Sequence, residues 1–291
     1  MNKENAVSDN RRYDMRKLLA KVAVIGIIGA VSGLAIADPE TDKANFQNFF
    51  KDKFSSTEFQ DFANGVYSID PASRAQWEEI EEFPPYEIAI EEGERLYNTK
   101  FKNGKGYASC LENGGMEISH TYPRFDTKKA KVVTLAQEVN ACRKANGEKP
   151  LKYKKGKMAS ILAYLAYSSR GKVFDIKIPN AAAEAAYEDG KKFYYARRGQ
   201  LNMACAHCHV DNSGNRIRAD LLSPSLGHTT HFPVYRSKWG GMGTLHRRFA
   251  GCNKQVRAKP FKAQSKEYRN LEYFLTYMSN GIEANGPGVR K

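Results

Sequence analysis

The apolar positions along this chain change their spacing several times, and each change marks an element. Val22 to Leu34 is an apolar or small-residue run without charge. Phe46, Phe49, Phe50 and Phe54 recur at helical spacing, which predicts a helix packed on the main body. Pro84-Pro85 punctuates the chain after it. Two stretches then follow one plan, the mark of internal duplication. The first opens with a helix-like run ending Gly93-Glu94-Arg95-Leu96-Tyr97; the second opens with Asn180 to Tyr195, containing Gly190-Lys191-Lys192-Phe193-Tyr194. A cysteine-bearing loop follows each, Tyr107-Ala108-Ser109-Cys110-Leu111 and Cys205-Ala206-His207-Cys208-His209. A lone cysteine in basic surroundings comes later in each, at Cys142 and Cys252. Aromatic amphipathic helices close both stretches, from Met158 to Gly171 and from Ser265 to Gly281, with Tyr164 and Tyr167 in the general place of Tyr273 and Tyr277.

Helix, cysteine loop, irregular middle and closing helix is the layout of a small class I cytochrome c domain. The expected fold is therefore mainly α: two tandem class I cytochrome c-like domains, the first without haem, plus an N-terminal helical extension. The boundaries read as a signal peptide over 1–37, the extension over 38–84, a haemless domain over 85–175 and a haem-binding domain over 176–291. A chain of 291 residues with 41% hydrophobic content can bury cores of that size.

The N-terminus reads as an export signal. Arg11, Arg12, Arg16, Lys17 and Lys21 precede the apolar run, and Ala35-Ile36-Ala37 supplies a cleavage site before Asp38. The apolar run is about 13 residues, short of the ~20 a bilayer span requires, so no stable membrane span is expected after cleavage. Asp14 stands where twin-arginine export wants an apolar stretch, so general secretion to the periplasm is the expectation. The formal net charge is +14. The leader has six basic and three acidic residues, which leaves about +11 for the remainder, a charge that attracts anions or acidic partners. No nucleic-acid motif is present. In an oxidising compartment five cysteines are an odd number, so one needs a separate purpose.

C-x-x-C-H at Cys205 to His209 is the attachment sequence of a c-type haem. Cys205 and Cys208 would form the thioethers and His209 the proximal iron bond, giving one covalently bound haem c. The first copy has lost this capacity: Tyr107 stands for the first cysteine and Leu111 for the histidine. The simplest use of Cys110 and Cys142 is a disulfide with each other. Closing a loop of roughly 30 residues is worth about 3–4 kcal/mol in the chain-entropy model. The alternative is two free buried thiols.

The distal iron position decides function. Met242 and Met278 would suit an electron carrier; His228, His231 and His246 are further candidates. Cys252 is the unusual one. Arg247, Arg248, Lys254 and Arg257 surround it in sequence, and cations favour a thiolate. Gly240-Gly241-Met242-Gly243 reads as a flexible approach loop. His207 is expected at the surface, His228 and His231 in a solvated loop, Trp239 near the haem edge, and His120 in the haemless domain without a ligand set.

The run Tyr195 to Ala204 before the attachment motif resembles the SoxA family of bacterial sulfur-oxidation cytochromes. So do His246-Arg247-Arg248-Phe249-Ala250-Gly251-Cys252-Asn253-Lys254-Gln255-Val256-Arg257, then Asn270-Leu271-Glu272-Tyr273 and Ser279-Asn280-Gly281. The resemblance covers most of residues 85–291. It implies that Cys252 is the distal iron ligand and the active-site cysteine, found as a persulfide in that family, and that Arg248 is the active-site arginine. Some members carry two haems; Tyr107 and Leu111 place this chain with the single-haem kind.

The implied activity is that of a haem-dependent L-cysteine S-thiosulfotransferase. It joins thiosulfate to a cysteine of a SoxYZ-type carrier protein and passes electrons through a SoxX-type monohaem cytochrome, its heterodimer partner, to a downstream cytochrome c. Arg248 would bind the dianion, Arg247 and Arg257 would steer it, and Cys252 would act as nucleophile or relay. The rival reading is a non-catalytic electron-transfer cytochrome with His/Met or His/His ligation.

Overall fold

The computed structural model describes residues 38–290. The export signal and its cleavage site lie outside the described residues. The described residues cluster as one compact unit. Among the described residues no helix is long and apolar enough to cross a membrane.

The chain opens with α1, Pro39–Lys53. Asp38 caps it, accepting from the backbone N–H of Glu40 and Thr41, and Pro39 sits where a helix needs no donor. Phe46 and Phe50 are buried and Phe54 packs against them, while Phe49 is 40% exposed. The phenylalanine stripe is thus a packing face that docks the extension on the second half of the chain. A 3-10 segment, Phe59–Ser68, adds Phe62 to the same core, and α2 follows over Pro71–Glu81.

The remaining helices repeat. The first set is α3 (Glu87–Asn98), α4 (Leu135–Ala145) and α5 (Lys157–Tyr167); the second is α6 (Ala181–Tyr195), α7 (Leu245–Gln255) and α8 (Lys266–Met278). The first and last helices of each set cross where one of them has glycine. A Cβ on Gly93 would lie 2.1 Å from the Ser160 carbonyl oxygen and 2.9 Å from Tyr164 Cβ; on Gly190 it would lie 2.1 Å from the Asn270 carbonyl oxygen and 2.9 Å from Phe274 Cβ. Only glycine permits backbones so close. One constant numerical offset carries Thr134, Cys142, Ser160 and Tyr164 onto Thr244, Cys252, Asn270 and Phe274. The counterpart of Tyr164 is therefore Phe274, one residue beyond Tyr273, because the crossing glycine and not the aromatic pattern sets the register.

The middles of both halves carry hairpins that sequence periodicity leaves irregular. The first is β1 (Arg124–Asp126) with β2 (Lys131–Val133), antiparallel. In the second half a short hairpin, β3 (Arg216–Ile217) with β4 (Asp220–Leu221), precedes a three-stranded sheet. There β5 (Val234–Arg236) pairs antiparallel with β6 (Gly241–Gly243) and parallel with β7 (Gly288–Arg290). Gly241 to Gly243 is thus a paired strand and not a free loop; Gly243 admits the Trp239 ring, which would lie 2.3 Å from a Cβ there.

Two apolar clusters result. One holds Tyr97, Phe101, Tyr107, Leu111, Val139 and Ile161 among others; the second is larger and includes the extension's phenylalanines with Tyr187, Tyr194, Tyr268 and Phe274. The halves interlock. Thr244 donates its hydroxyl to the Tyr153 carbonyl at 2.9 Å, and Arg269 donates to the Val132 carbonyl at 2.8 Å. His231 is not in a solvated loop. It is 4% exposed, and its Nδ1 donates to the Ala63 carbonyl at 3.1 Å, because the 3-10 segment of the extension covers it.

Two predictions follow from this packing. Gly190→Ala should destabilise by about 3 kcal/mol or more, since neither backbone can retreat; a chemical-denaturation midpoint measures it. Burial first, then the Arg290 guanidinium, pushes the His231 pKa well below its usual value. The unfolded chain takes up that proton near pH 6.5 and the folded one resists it. Stability should therefore fall as pH drops below about 6.5, with His231 contributing at most about 1.4 kcal/mol per pH unit. Denaturation midpoints at pH 7.5 and 5.5 should show this fall, and His231→Gln should reduce it.

Candidate functional site

The attachment loop is held in place before any cofactor is considered. Arg198 and Met203 form a β-bridge just ahead of it. Gly199, at φ +69°, brings this loop against the end of α7; a Cβ there would meet the Val256 carbonyl at 2.1 Å. The Leu201 N–H donates to that same carbonyl. Cys205 then starts a helical turn that widens to a π-type turn over His207–Asp211. His207 is a local brace: its Nδ1 accepts the Ala204 N–H at 2.7 Å. Lys53 at the end of α1 donates to the carbonyls of Val210 and Asp211, closing the far end.

His209 is oriented by the segment after the β3–β4 hairpin. Its Nδ1 bonds the Ser223 carbonyl at 3.0 Å, which leaves Nε2 as the nitrogen available to Cys252 or to a metal. The Ser223 hydroxyl in turn bonds His228 Nε2 at 2.7 Å. The His228 ring packs edge-on against His209, with centroids 4.4 Å apart. That contact leaves no room for a metal ion between the two imidazoles.

Opposite His209 stands Cys252, carried by α7. This helix buries Leu245, His246, Phe249, Ala250 and Asn253. His246 Nε2 lies 2.8 Å from Glu272 on α8, and Asn253 donates to the Tyr268 hydroxyl at 3.0 Å, which fixes the rotation of the helix. Arg248 and Cys252, four residues apart, then share the neighbouring face. Burial pushes the Cys252 thiol up. The Arg248 guanidinium, a hydrogen bond from His209 and the charge of Arg236 outweigh it and bring the thiol down to about 7. The other two thiols go the opposite way: burial raises Cys205 to about 12 and also raises Cys208.

Arg236, at the end of β5, is the residue that sequence proximity misses. Burial and the adjacent Arg248 lower its pKa to about 10, and Cys252 is among the groups acting on it. Only strand pairing brings it here, since β6 separates it from α7 in sequence. The cations expected to steer substrate sit elsewhere. Arg247 lies 4.2 Å from the Trp239 ring centroid and donates to the Met242 carbonyl, and Lys254 and Arg257 are exposed. Arg236 lies over the same ring at 5.6 Å, so Trp239 is held between two guanidinium groups. The other candidates opposite His209 have partners of their own. His231 bonds Ala63, His246 pairs with Glu272, and Met278 is buried at the end of α8.

The donor set fits a c-type haem. Two thiols sit three residues apart on a helical turn, the following imidazole has its outer nitrogen occupied, and a sulfur faces that imidazole. The equivalent place in the first half is filled by protein. Tyr107 is 1% exposed and stacks on Tyr97 at 5.5 Å; Phe101 meets it edge-on at 4.9 Å, and Arg143 donates to its hydroxyl at 2.9 Å. Cys110 and Cys142 are joined there by a disulfide with Cα atoms 5.6 Å apart. His120 is half-buried and its Nδ1 has no partner among the described residues.

Residues 92–174 and 189–284 match the model of the SoxA/TsdA cytochrome c domain family. A curated relative from Allochromatium vinosum, the L-cysteine S-thiosulfotransferase subunit SoxA, is 57% identical over 276 residues, covering 94% of this chain and 98% of the relative. The protein of the same name from Chlorobaculum tepidum is 54% identical, covering 87% of this chain and 88% of its own. Among solved structures, SoxXA from P. pantotrophus is similar with a TM-score of 0.69 at 33% identity, over 75% of this chain and 84% of that one.

Proposed function

This chain belongs to the SoxA family of cytochrome c subunits, and on that premise we propose that Cys252, Arg248, Arg236 and His209 form one site that couples thiosulfate to a protein thiol. The chain is the cytochrome subunit of a sulfur-oxidising L-cysteine S-thiosulfotransferase, and it binds haem c. Its partner is a SoxX-type cytochrome. A SoxYZ-type carrier supplies the thiol, a downstream cytochrome c takes the electrons, and the mature protein works in the periplasm after removal of residues 1–37. A single haem would be held in the second of the two cytochrome c-like domains, over 176–291, while Tyr107 and its aromatic neighbours fill the first, over 85–175.

The observation that carries this reading is the placement of one thiol opposite His209 and beside two guanidinium groups. The overall change is a carrier thiol plus thiosulfate giving a protein S-thiosulfonate, one proton and two electrons. The new bond joins the carrier sulfur to the sulfane sulfur of thiosulfate. Arg248 and Arg236 bind the dianion by charge-assisted hydrogen bonds and hold its sulfane end toward Cys252. Cys252 is the soft sulfur at which the exchange takes place, and a pKa lowered to about 7 keeps roughly half of it as thiolate at neutral pH. Cys205 and Cys208 would hold the haem through their sulfurs, and His209 and Cys252 would bind its iron. When bound, the haem would supply a one-electron acceptor beside Cys252.

Cys252→Ala should abolish turnover in a thiosulfate-dependent assay with reduced carrier while the purified subunit keeps its covalent haem. Full activity of that variant would refute the assignment. Arg236→Gln and Arg248→Gln should each raise KM for thiosulfate by about 10-fold to 100-fold, the worth of one hydrogen bond to a charged group. Arg247→Gln, which removes the guanidinium on Trp239, should change KM by less than about threefold. Steady-state kinetics at fixed ionic strength separate these outcomes.

A further inference from the structure

The duplicated frame places the cysteines of the two halves in register. Cys142 is the eighth residue of α4, which Thr134 caps, and Cys252 is the eighth residue of α7, which begins after Thr244. Cys110 is the fourth residue of Tyr107-Ala108-Ser109-Cys110-Leu111, and Cys208 is the fourth of Cys205-Ala206-His207-Cys208-His209. In each half the first and last helices, which frame these segments, cross at equivalent glycines with the same approach, 2.1 Å from a hypothetical Cβ to the facing carbonyl. In the first half this frame brings its two cysteines into a disulfide, with Cα atoms 5.6 Å apart and well within bonding range. In the second half Cys205, Cys208 and Cys252 are all free, and the charge of Cys252 acts on both of the others. Cys205 differs from the other two. Its counterpart is Tyr107, a core side chain, and Cys205 itself packs against the apolar cluster.

We propose that before haem is attached Cys208 and Cys252 form a disulfide, the counterpart of Cys110–Cys142, leaving Cys205 as a free thiol. The two thiols give up two protons and two electrons to a disulfide oxidant such as oxidised glutathione, which leaves as two reduced thiols. The bond ties up a thioether cysteine and the sulfur facing His209 at once. It therefore blocks haem attachment until a dithiol reductant opens it, and it shields Cys252 from oxidation beyond the disulfide level. The consequence for haem attachment rests on the reading of Cys205 and Cys208 as thioether positions; the bond itself does not.

The test uses the full chain made without covalent haem, fully reduced, then exposed to oxidised glutathione. Free thiols are alkylated and the peptides mapped by mass spectrometry. The expected result is two linked pairs, Cys110–Cys142 and Cys208–Cys252, with the alkyl label on Cys205 in most molecules. The Cys205→Ser chain should retain both pairs. A majority Cys205–Cys208 bond, or label on all three cysteines of the second half, overturns the proposal; so does loss of the Cys208–Cys252 pair while Cys110–Cys142 forms. The same chain, produced in cells with c-type haem attachment, reports separately on the haem reading. A chain that gains no covalent haem there overturns that reading and leaves the mapped bond standing.

Discussion

The close crossing of α6 and α8 at Gly190 is the constraint from which the site follows. With no side chain between them, the two backbones touch at the Asn270 carbonyl. That contact fixes α8, and α8 fixes α7 through Glu272 to His246 and Tyr268 to Asn253. The rotation of α7 then decides which of its polar residues face the attachment loop. Any loosening at the crossing is passed on to the separation between Cys252 and His209, two side chains that share no element and are distant in sequence.

The same crossing at Gly93 builds the first half, yet the outcome there is opposite. The difference lies in what the loop carries. With tyrosine at 107 and leucine at 111, the side chains themselves fill the volume: Tyr107 stacks on Tyr97, meets Phe101 edge-on and bonds Arg143. The disulfide supplies the covalent tie. An apolar core closed by a disulfide takes over the ordering that a covalent cofactor gives elsewhere. The first half then serves as a rigid platform, and Tyr153 and Val132 accept hydrogen bonds from Thr244 and Arg269 of the second.

Much of this was legible in the residues, and what was not has a physical reason. The duplicated plan and the C-x-x-C-H run are short-range signals, readable because each lies in one continuous segment. The phenylalanines of α1 were readable as a stripe, although Phe49 falls outside its buried face. The register of the closing helices was not, since aromatic residues lie at 273, 274 and 277 alike and only the glycine contact singles out Phe274. Arg236 was invisible because pairing of β5 with β6 brings it to α7, and those strands are three residues long with glycines that carry no alternating pattern. Arg247 was misplaced for the opposite reason. Nearness in sequence suggests nearness in space, but one residue on a helix is a rotation of about 100°, and Arg247 turns to Trp239 while Arg248 turns to Cys252.

The two arginines beside Cys252 also explain how one thiol differs so far from its neighbours. All three thiols of the second half are desolvated, and desolvation alone raises each of them. Cys205 has one distant guanidinium to offset this, Arg198, which is itself engaged with the carbonyls of Phe193 and Ala196. Cys252 has Arg248 and Arg236, and neither makes a hydrogen bond or ion pair among the described residues. Burial and the nearby charge of Arg248 together lower the pKa of Arg236. Their repulsion is relieved by an anion, whether the thiolate itself or a bound sulfur dianion. The fold therefore stores positive charge at this point, and the chemistry assigned to Cys252 draws on it.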